Sequence, residues 1–390
     1  MHLIHNSPET LMAFVWGNIS IIILAFFARF IWRWMELSKS ANTVRPATFD
    51  LETVAPYPSE KIKGFEKYRI RMGLKKMDRA NWLTVDKDYV ALHRIRKSLL
   101  ETQKEKMVQC LPEAKEACQE ALHEVSKFLC KRYPAMFETC TSGSGPKVIN
   151  KEVGEEFCLS GCSGSISPLE IAARLAMDDL TIILKNKEGI HYMAATASCF
   201  QIGWSAQERI GETITRMHDP VPEWEKEVGY AVNNCVKYRA CIIGESSVLT
   251  VQRRFMTRLT PETPMERASY FIQVSHPGQP LPEILFQPEG IIHTSIEPQP
   301  EHIIIRKERQ SFTRLPTSGG ILFAVRTSLT YLPDLPLDEL QNMVKEINSW
   351  PEEMARYKGR EHWGPVVFQH CKQRERETSL SMGTSNKFGT

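Results

Sequence analysis

Two groups of side chains in this chain have the types and spacing to do chemistry: one histidine on a stiffened corner and one run of arginines. His218 stands in Met217-His218-Asp219-Pro220-Val221-Pro222. Two prolines cannot continue a helix, and they bias their neighbours to extended backbone, so the imidazole is held where helix meets loop. That is where a protein places an axial metal ligand. The competing reading is a histidine in a last helical turn, where partial positive charge suits the helix dipole. The arginines run through Arg306-Lys307-Glu308-Arg309-Gln310-Ser311-Phe312-Thr313-Arg314 and on to Arg326 in Phe323-Ala324-Val325-Arg326-Thr327. Guanidinium forks at strand ends suit carboxylates. The plainer reading is a solvated sheet face with Glu308 as partner.

Other chemistries are excluded or left without partners. Cys158 and Cys162 lack a further Cys or His to complete a metal set, and the 11 histidines are scattered. None of the 10 cysteines forms a C-x-x-C pair, which argues against zinc ribbons and iron–sulfur ligand sets and for reduced thiols. There is no G-x-G-x-x-G after a strand, no Walker A, no H-E-x-x-H and no G-x-S-x-G. A net charge of +3 over 390 residues argues against a nucleic-acid footprint across the chain.

The elements that must position these groups follow from periodicity. The stretch from Thr196 to Trp224 predicts a strand ending near Phe200 and a helix from Ser205 to about Arg216. Ser205 and Glu208 make a capping-box pattern, and Ile210, Ile214 and Met217 an apolar stripe. Upstream, Leu92, Ile95 and Leu99 mark a helix from Tyr89, and Cys118, Leu122, Val125 and Leu129 mark one over Glu113–Tyr133. The Gly/Ser-rich stretch 140–166 predicts a mobile insertion. Asn186-Lys187-Glu188-Gly189 predicts a hairpin between strands Asp179–Lys185 and His191–Phe200. A longer helix is expected over Glu223–Tyr238, strands over Arg267–Val274, Glu301–Arg309 and Gly320–Leu329, and a closing helix over Leu337–Trp350. The polar tail after Cys371 predicts disorder. Strands that return late in the sequence imply an antiparallel α+β sheet with flanking helices.

The N-terminus has a different texture. Residues 11–32 are almost wholly apolar, about the length that crosses a hydrocarbon core of roughly 30 Å. Arg29, Arg33, Lys39 and Arg45 lie on the C-terminal side, whereas the first ten residues carry no Lys or Arg. These features predict a single-pass transmembrane anchor within residues 1–37, a tether over 38–67, and a soluble body facing the cytosol.

Four blocks, in order, resemble the haem-binding subunit family of the haem-dependent oxidative N-demethylases. They are Met72-Gly73-Leu74 with Asp78 to Asp88; Asp178-Asp179-Leu180 onward to Phe200 and Trp204-Ser205; Ile210-Gly211 through His218-Asp219-Pro220-Val221-Pro222; and Arg306 through Arg314-Leu315-Pro316 to Phe323 and Arg326-Thr327. Where the family carries an Asn-Trp pair after an arginine, this chain has Ala268-Ser269-Tyr270 after Arg267. The resemblance implies a PAS-like domain over residues 68–345 that holds haem b between sheet and helices, followed by a C-terminal region over 346–390. It implies His218 as the axial iron ligand and Arg309 and Arg326 as contacts of the haem propionates. It further implies oxygen-dependent removal of a methyl group from a small amine, with electrons from a separate flavin or iron–sulfur reductase. Two other readings stay open: a PAS-like haem or ligand sensor without turnover, and a scaffold that has lost haem.

Overall fold

A computed structural model of the chain describes residues 29, 44, 46–47, 50–68, 73–143, 145–160, 166–222, 224, 255–290 and 297–385. Residues 46–390 form one unit and residues 1–45 another. Apart from Arg29 and Trp224, the apolar stretch 11–32 and the helix expected over Glu223–Tyr238 lie outside the described residues. Among the described residues no helix is long and apolar enough to cross a membrane.

The strands are β1 (Lys75–Lys76), β2 (Val108–Cys110), β3 (Phe137–Ser142), β4 (Gly145–Asn150), β5 (Glu155–Cys158), β6 (Asp179–Lys185), β7 (His191–Ala197), β8 (Met265–Val274), β9 (Ile303–Arg314) and β10 (Ile321–Tyr331). The α-helices are α1 (Tyr89–Met107), α2 (Lys115–Arg132), α3 (Pro168–Leu175), α4 (Ala206–Arg209), α5 (Ile214–Met217), α6 (Phe255–Arg258), α7 (Leu281–Leu285), α8 (Leu337–Asn348), α9 (Glu352–Tyr357) and α10 (Arg360–Ser385). Seven strands form one antiparallel sheet in the order β1-β8-β9-β10-β6-β7-β2. The mixed α+β architecture expected from the sequence is therefore present.

The register of β8, β9 and β10 decides what each face of the sheet carries. Arg309 lies opposite Ala268 and Arg326, whereas Gln310 lies opposite Arg267 and Val325. Because side chains alternate, one face carries Arg306, Glu308, Gln310, Phe312 and Arg314, and the other carries Lys307, Arg309, Ser311 and Thr313. At the far end of the sheet, Ile272, Ile303 and Ile305 pack against Leu340, Met343, Ile347, Trp350 and Trp363 of the C-terminal helices.

Three local expectations change. The helix expected over Ser205–Arg216 is two four-residue helices, α4 and α5, because Gly211 turns the chain at φ +81°. Ser205 makes no side-chain cap; Thr213 caps instead, accepting from the Arg216 N–H at 3.3 Å. In the Gly/Ser-rich stretch, β3, β4 and β5 pair into a small antiparallel sheet. The tail expected to be disordered after Cys371 continues α10 as far as Ser385.

One buried carboxylate joins the layers. Asp179 opens β6 and accepts from Arg96 of α1 at 2.5 Å, from the Ser198 hydroxyl at 2.8 Å, and from the Cys199 and Phe200 N–H groups at 3.0 and 2.9 Å. These bonds end β7 at Ala197, short of Phe200, because the next backbone donors turn inward to the carboxylate. Arg96 is 2% exposed and also caps the Met177 carbonyl, while its guanidinium lies over the Phe200 ring. Removing one member of such a pair leaves a charge buried without its partner. Asp179→Ala is expected to lower unfolding free energy by about 3–5 kcal/mol. Urea denaturation reads this directly, and a loss below roughly 1 kcal/mol would show that Arg96 finds another partner.

Candidate functional site

His218 is the C-cap of α5, and its surroundings select one tautomer. Nδ1 stands 2.7 Å from the Ile214 carbonyl oxygen. A carbonyl only accepts, so Nδ1 carries the proton and Nε2 the lone pair. The ring stacks on Trp224 at 4.4 Å with 11° between planes. The Val221 N–H closes the corner by donating to the His218 carbonyl at 2.8 Å. Burial pushes the imidazole below the ordinary histidine value, and the guanidinium charges of Arg267 and Arg209 push the same way. At neutral pH His218 is therefore an uncharged ring with a lone pair on a known atom.

The packing of α5 shows which sheet face it addresses. Ile214 joins Trp224, Met256, Leu259, Phe312, Ile321 and Ile183 in one cluster, with Met217 and Phe323 against it. This is the face that carries Arg306, Glu308, Gln310 and Arg314. Across it runs a polar row: Arg267 Nε donates to Gln310 Oε1 at 2.7 Å, and Gln310 Nε2 donates to Glu308 Oε2 at 2.8 Å. Burial raises the Glu308 carboxyl, against the pull of Arg306 and the Gln310 bond. Burial likewise lowers Arg267, opposed by Glu308. Beside the row, Phe323, Val325 and Leu329 are only half-buried although β10 is the fourth of seven strands, and Phe271 is 38% exposed. The Thr327 hydroxyl on the same face is buried and has no hydrogen-bond partner among the described residues. Flat apolar side chains, an orphan hydroxyl and a paired guanidinium make a surface suited to a largely apolar, carboxylate-bearing ligand.

Arg309 and Arg326 point the other way. They are cross-strand partners on the opposite face. Arg309 donates through Nε to Glu266 at 2.7 Å and through Nη1 to the Trp82 carbonyl at 3.1 Å, and stacks 4.3 Å above the Tyr57 ring. Arg326 donates to Asp86 at 2.5 Å. The structure therefore does not bring the two arginines expected to contact propionates together with His218, since α5 packs on the other face. Of the arginines on the His218 face, Arg306 donates to the Phe200 and Leu285 carbonyls, and Arg314 to those of Leu259, Met256 and Gly319. Arg306 also lies 3.8 Å from Glu308, and Arg267 pairs with Gln310 in the polar row. Arg267, Glu308 and Gln310 were missed as site residues because the run Arg306–Arg314 shows alternation but not which parity faces the helices. Among the described residues no group of three or more His, Cys, Asp or Glu side chains is placed to hold a metal ion.

The chain is thus an antiparallel α+β protein that carries a neutral, tautomer-defined imidazole on a helix corner packed against the sheet. A family model described as haem-dependent oxidative N-demethylase, alpha subunit-like, matches residues 73–368. The chain belongs to this haem-dependent family.

The arginine cluster of the opposite face has its own pH signature. Asp178 is buried within reach of it; burial raises its carboxyl from 3.8 to about 6, while Arg326, Arg309 and Arg96 hold it down. A raised acid binds its proton more tightly in the folded state. Its stabilising contribution is complete below the unfolded value of 3.8 and is lost as pH rises through about 6. Asp178→Asn is therefore expected to gain roughly 2–3 kcal/mol over the parent at pH 7 and almost nothing at pH 4. Paired urea titrations at the two pH values check it; equal differences would mean the carboxyl does not titrate in this range.

Proposed function

We propose that the protein is the haem-binding subunit of an oxygen-dependent amine N-demethylase, in which His218 would hold the iron of haem b. The observation that carries this reading is the Ile214 carbonyl bond to His218 Nδ1, found within a chain that matches the family over residues 73–368. Bound haem would supply dioxygen activation and the redox centre for removing a methyl group from a small amine.

The chain's own residues do the rest. The Ile214 carbonyl holds the Nδ1 proton and so presents the Nε2 lone pair with raised basicity. Trp224 restricts rotation of the imidazole by stacking on it. Phe323, Val325 and Leu329 offer apolar faces to a flat ring, and their partial burial supports the fit. Arg267 is the guanidinium on this face for a propionate, with Gln310 orienting it. Glu308, its carboxyl raised by burial, can hold a proton on one carboxylate oxygen for exchange with an amine. In this reading the seven-stranded sheet is a PAS-like sheet and electrons come from a separate flavin or iron–sulfur reductase; the alpha-subunit-like description of the family supports a partner subunit. The apolar run at residues 11–32 and the basic residues after it support a membrane anchor with the body in the cytosol.

The test is the absorption spectrum of the purified chain supplied with haem. The parent is expected to give a strong Soret band that His218→Ala loses or shifts. Arg267→Gln is expected to weaken haem binding about tenfold, roughly 1.4 kcal/mol. Arg309→Gln should leave haem affinity unchanged while lowering stability. A band indifferent to His218→Ala would move the ligand elsewhere, and tight gas binding without reductase-dependent amine turnover would favour a sensor.

A further inference from the structure

The edge of the large sheet opposite β1 carries a pair of thiols that plays no part in the haem reading. Cys110 ends β2, opposite Ala195 of β7. Cys118 lies on the inward face of α2 and is 1% exposed. Their sulfurs stand 3.7 Å apart. The chain between them is short and pinned: Leu111 N–H donates to the Ala194 carbonyl, and Ala114 N–H donates to Leu111 before α2 begins. The two sulfurs are therefore held together by the fold and not by chance side-chain positions. Cys110 is exposed and Cys118 is buried. An exposed attacking thiol beside a sheltered resolving thiol is the arrangement of a thiol pair that oxidises reversibly.

We propose that Cys110 and Cys118 are a redox modification site, closed to a disulfide by peroxide and reopened by a dithiol. Closure needs the sulfurs to approach by about 1.7 Å, to the disulfide length of about 2.05 Å, and Cys110 stands on an exposed position at the sheet edge. The Cys110 thiolate attacks one peroxide oxygen; the O–O bond breaks, an S–O bond forms, and the departing hydroxide takes a proton to become water. The Cys118 sulfur then attacks the sulfenic sulfur, an S–S bond forms, and the hydroxyl leaves with the Cys118 proton as a second water. Two thiols and one peroxide thus give one disulfide and two waters, with two electrons passing from sulfur to oxygen. The disulfide fastens the β2 edge to α2.

The surroundings of Cys110 favour the first step. The Cys118 thiol donates to it and the Lys115 ammonium lies nearby, so its thiol falls to about 7, against burial and the carboxylate of Glu113. That carboxylate in turn accepts from the Tyr192 hydroxyl at 3.1 Å.

The experiment uses the full-length protein treated with a small excess of hydrogen peroxide at pH 7, blocked with N-ethylmaleimide and mapped by mass spectrometry. The expected product is a peptide joined through Cys110 and Cys118, lighter by two hydrogens and restored by dithiothreitol. Cys110→Ser should abolish it. In Cys118→Ser and Cys118→Ala, Cys110 should stop at a sulfenic acid that a carbon-acid probe traps. In Cys118→Ala, which removes the donor, alkylation of Cys110 at pH 7 should slow about five- to tenfold, the net of less thiolate and greater intrinsic nucleophilicity. Oxidation of Cys110 to sulfinic acid with Cys118 left intact would overturn the proposal. So would alkylation of parental Cys110 no faster than that of Cys140.

Discussion

The bond set around Asp179 is the constraint on which the rest of the molecule depends. A single carboxylate, buried at the start of β6, is matched by a buried guanidinium from α1 and by three donors of the Ser198–Phe200 turn. Burying two charges is costly, and only full satisfaction of their hydrogen bonds offsets it. That condition forces α1, β6 and the end of β7 into one arrangement. The Ser198–Phe200 turn in turn directs the chain toward α4 and α5, and so toward the corner that carries His218. Phe200 contributes twice, with its N–H to Asp179 and its carbonyl to Arg306 of β9. The helical layer and the central strands are thereby tied at one point.

Much of the fold could be read from spacing. The hairpin of β6 and β7 follows from Asn186 to Gly189, where Gly189 takes φ +82° and Asn186 accepts from the Ile190 N–H. Cys118, Leu122, Val125 and Leu129 form a buried stripe of α2 as their spacing predicts. The helix over 205–216 was less legible, because Ile210, Ile214 and Met217 keep helical spacing across a glycine that breaks the backbone. Its apolar period is satisfied by tertiary packing and not by a continuous helix. The small sheet of β3 to β5 was hidden by Gly143, Gly145 and the serines around them, whose composition resembles a linker. Its strands find their order in the contact with α1, where Asn150 donates to the Tyr89 hydroxyl at 2.6 Å.

The corner at Met217–Pro222 was legible in the sequence and the facing of the arginines was not, for one physical reason. A corner built by two prolines is a local feature, written in consecutive residues. Sheet parity is not local: a slip of one residue exchanges every side chain between faces. The run Arg306 to Arg314 contains arginines of both parities, and only the pairing with Arg267 and Val325 tells which of them looks toward α5. Arg309 and Arg326 turned out to stitch β9 and β10 to Glu266 and Asp86. The sheet thus separates two sets of charges, one structural and one facing the imidazole.

The brevity of α5 has a consequence of its own. A four-residue helix lies far below the length at which a helix persists alone in water. The corner that presents His218 therefore borrows its shape from Phe312, Ile321 and Trp224, and exists only while they are packed. Ligand affinity at the imidazole and stability of the sheet are then two readings of one set of contacts. A ligand that engages the corner stabilises the whole unit by mass action. Conversely, a weakened core empties the site without any substitution near it, so occupancy reports on folding across the domain.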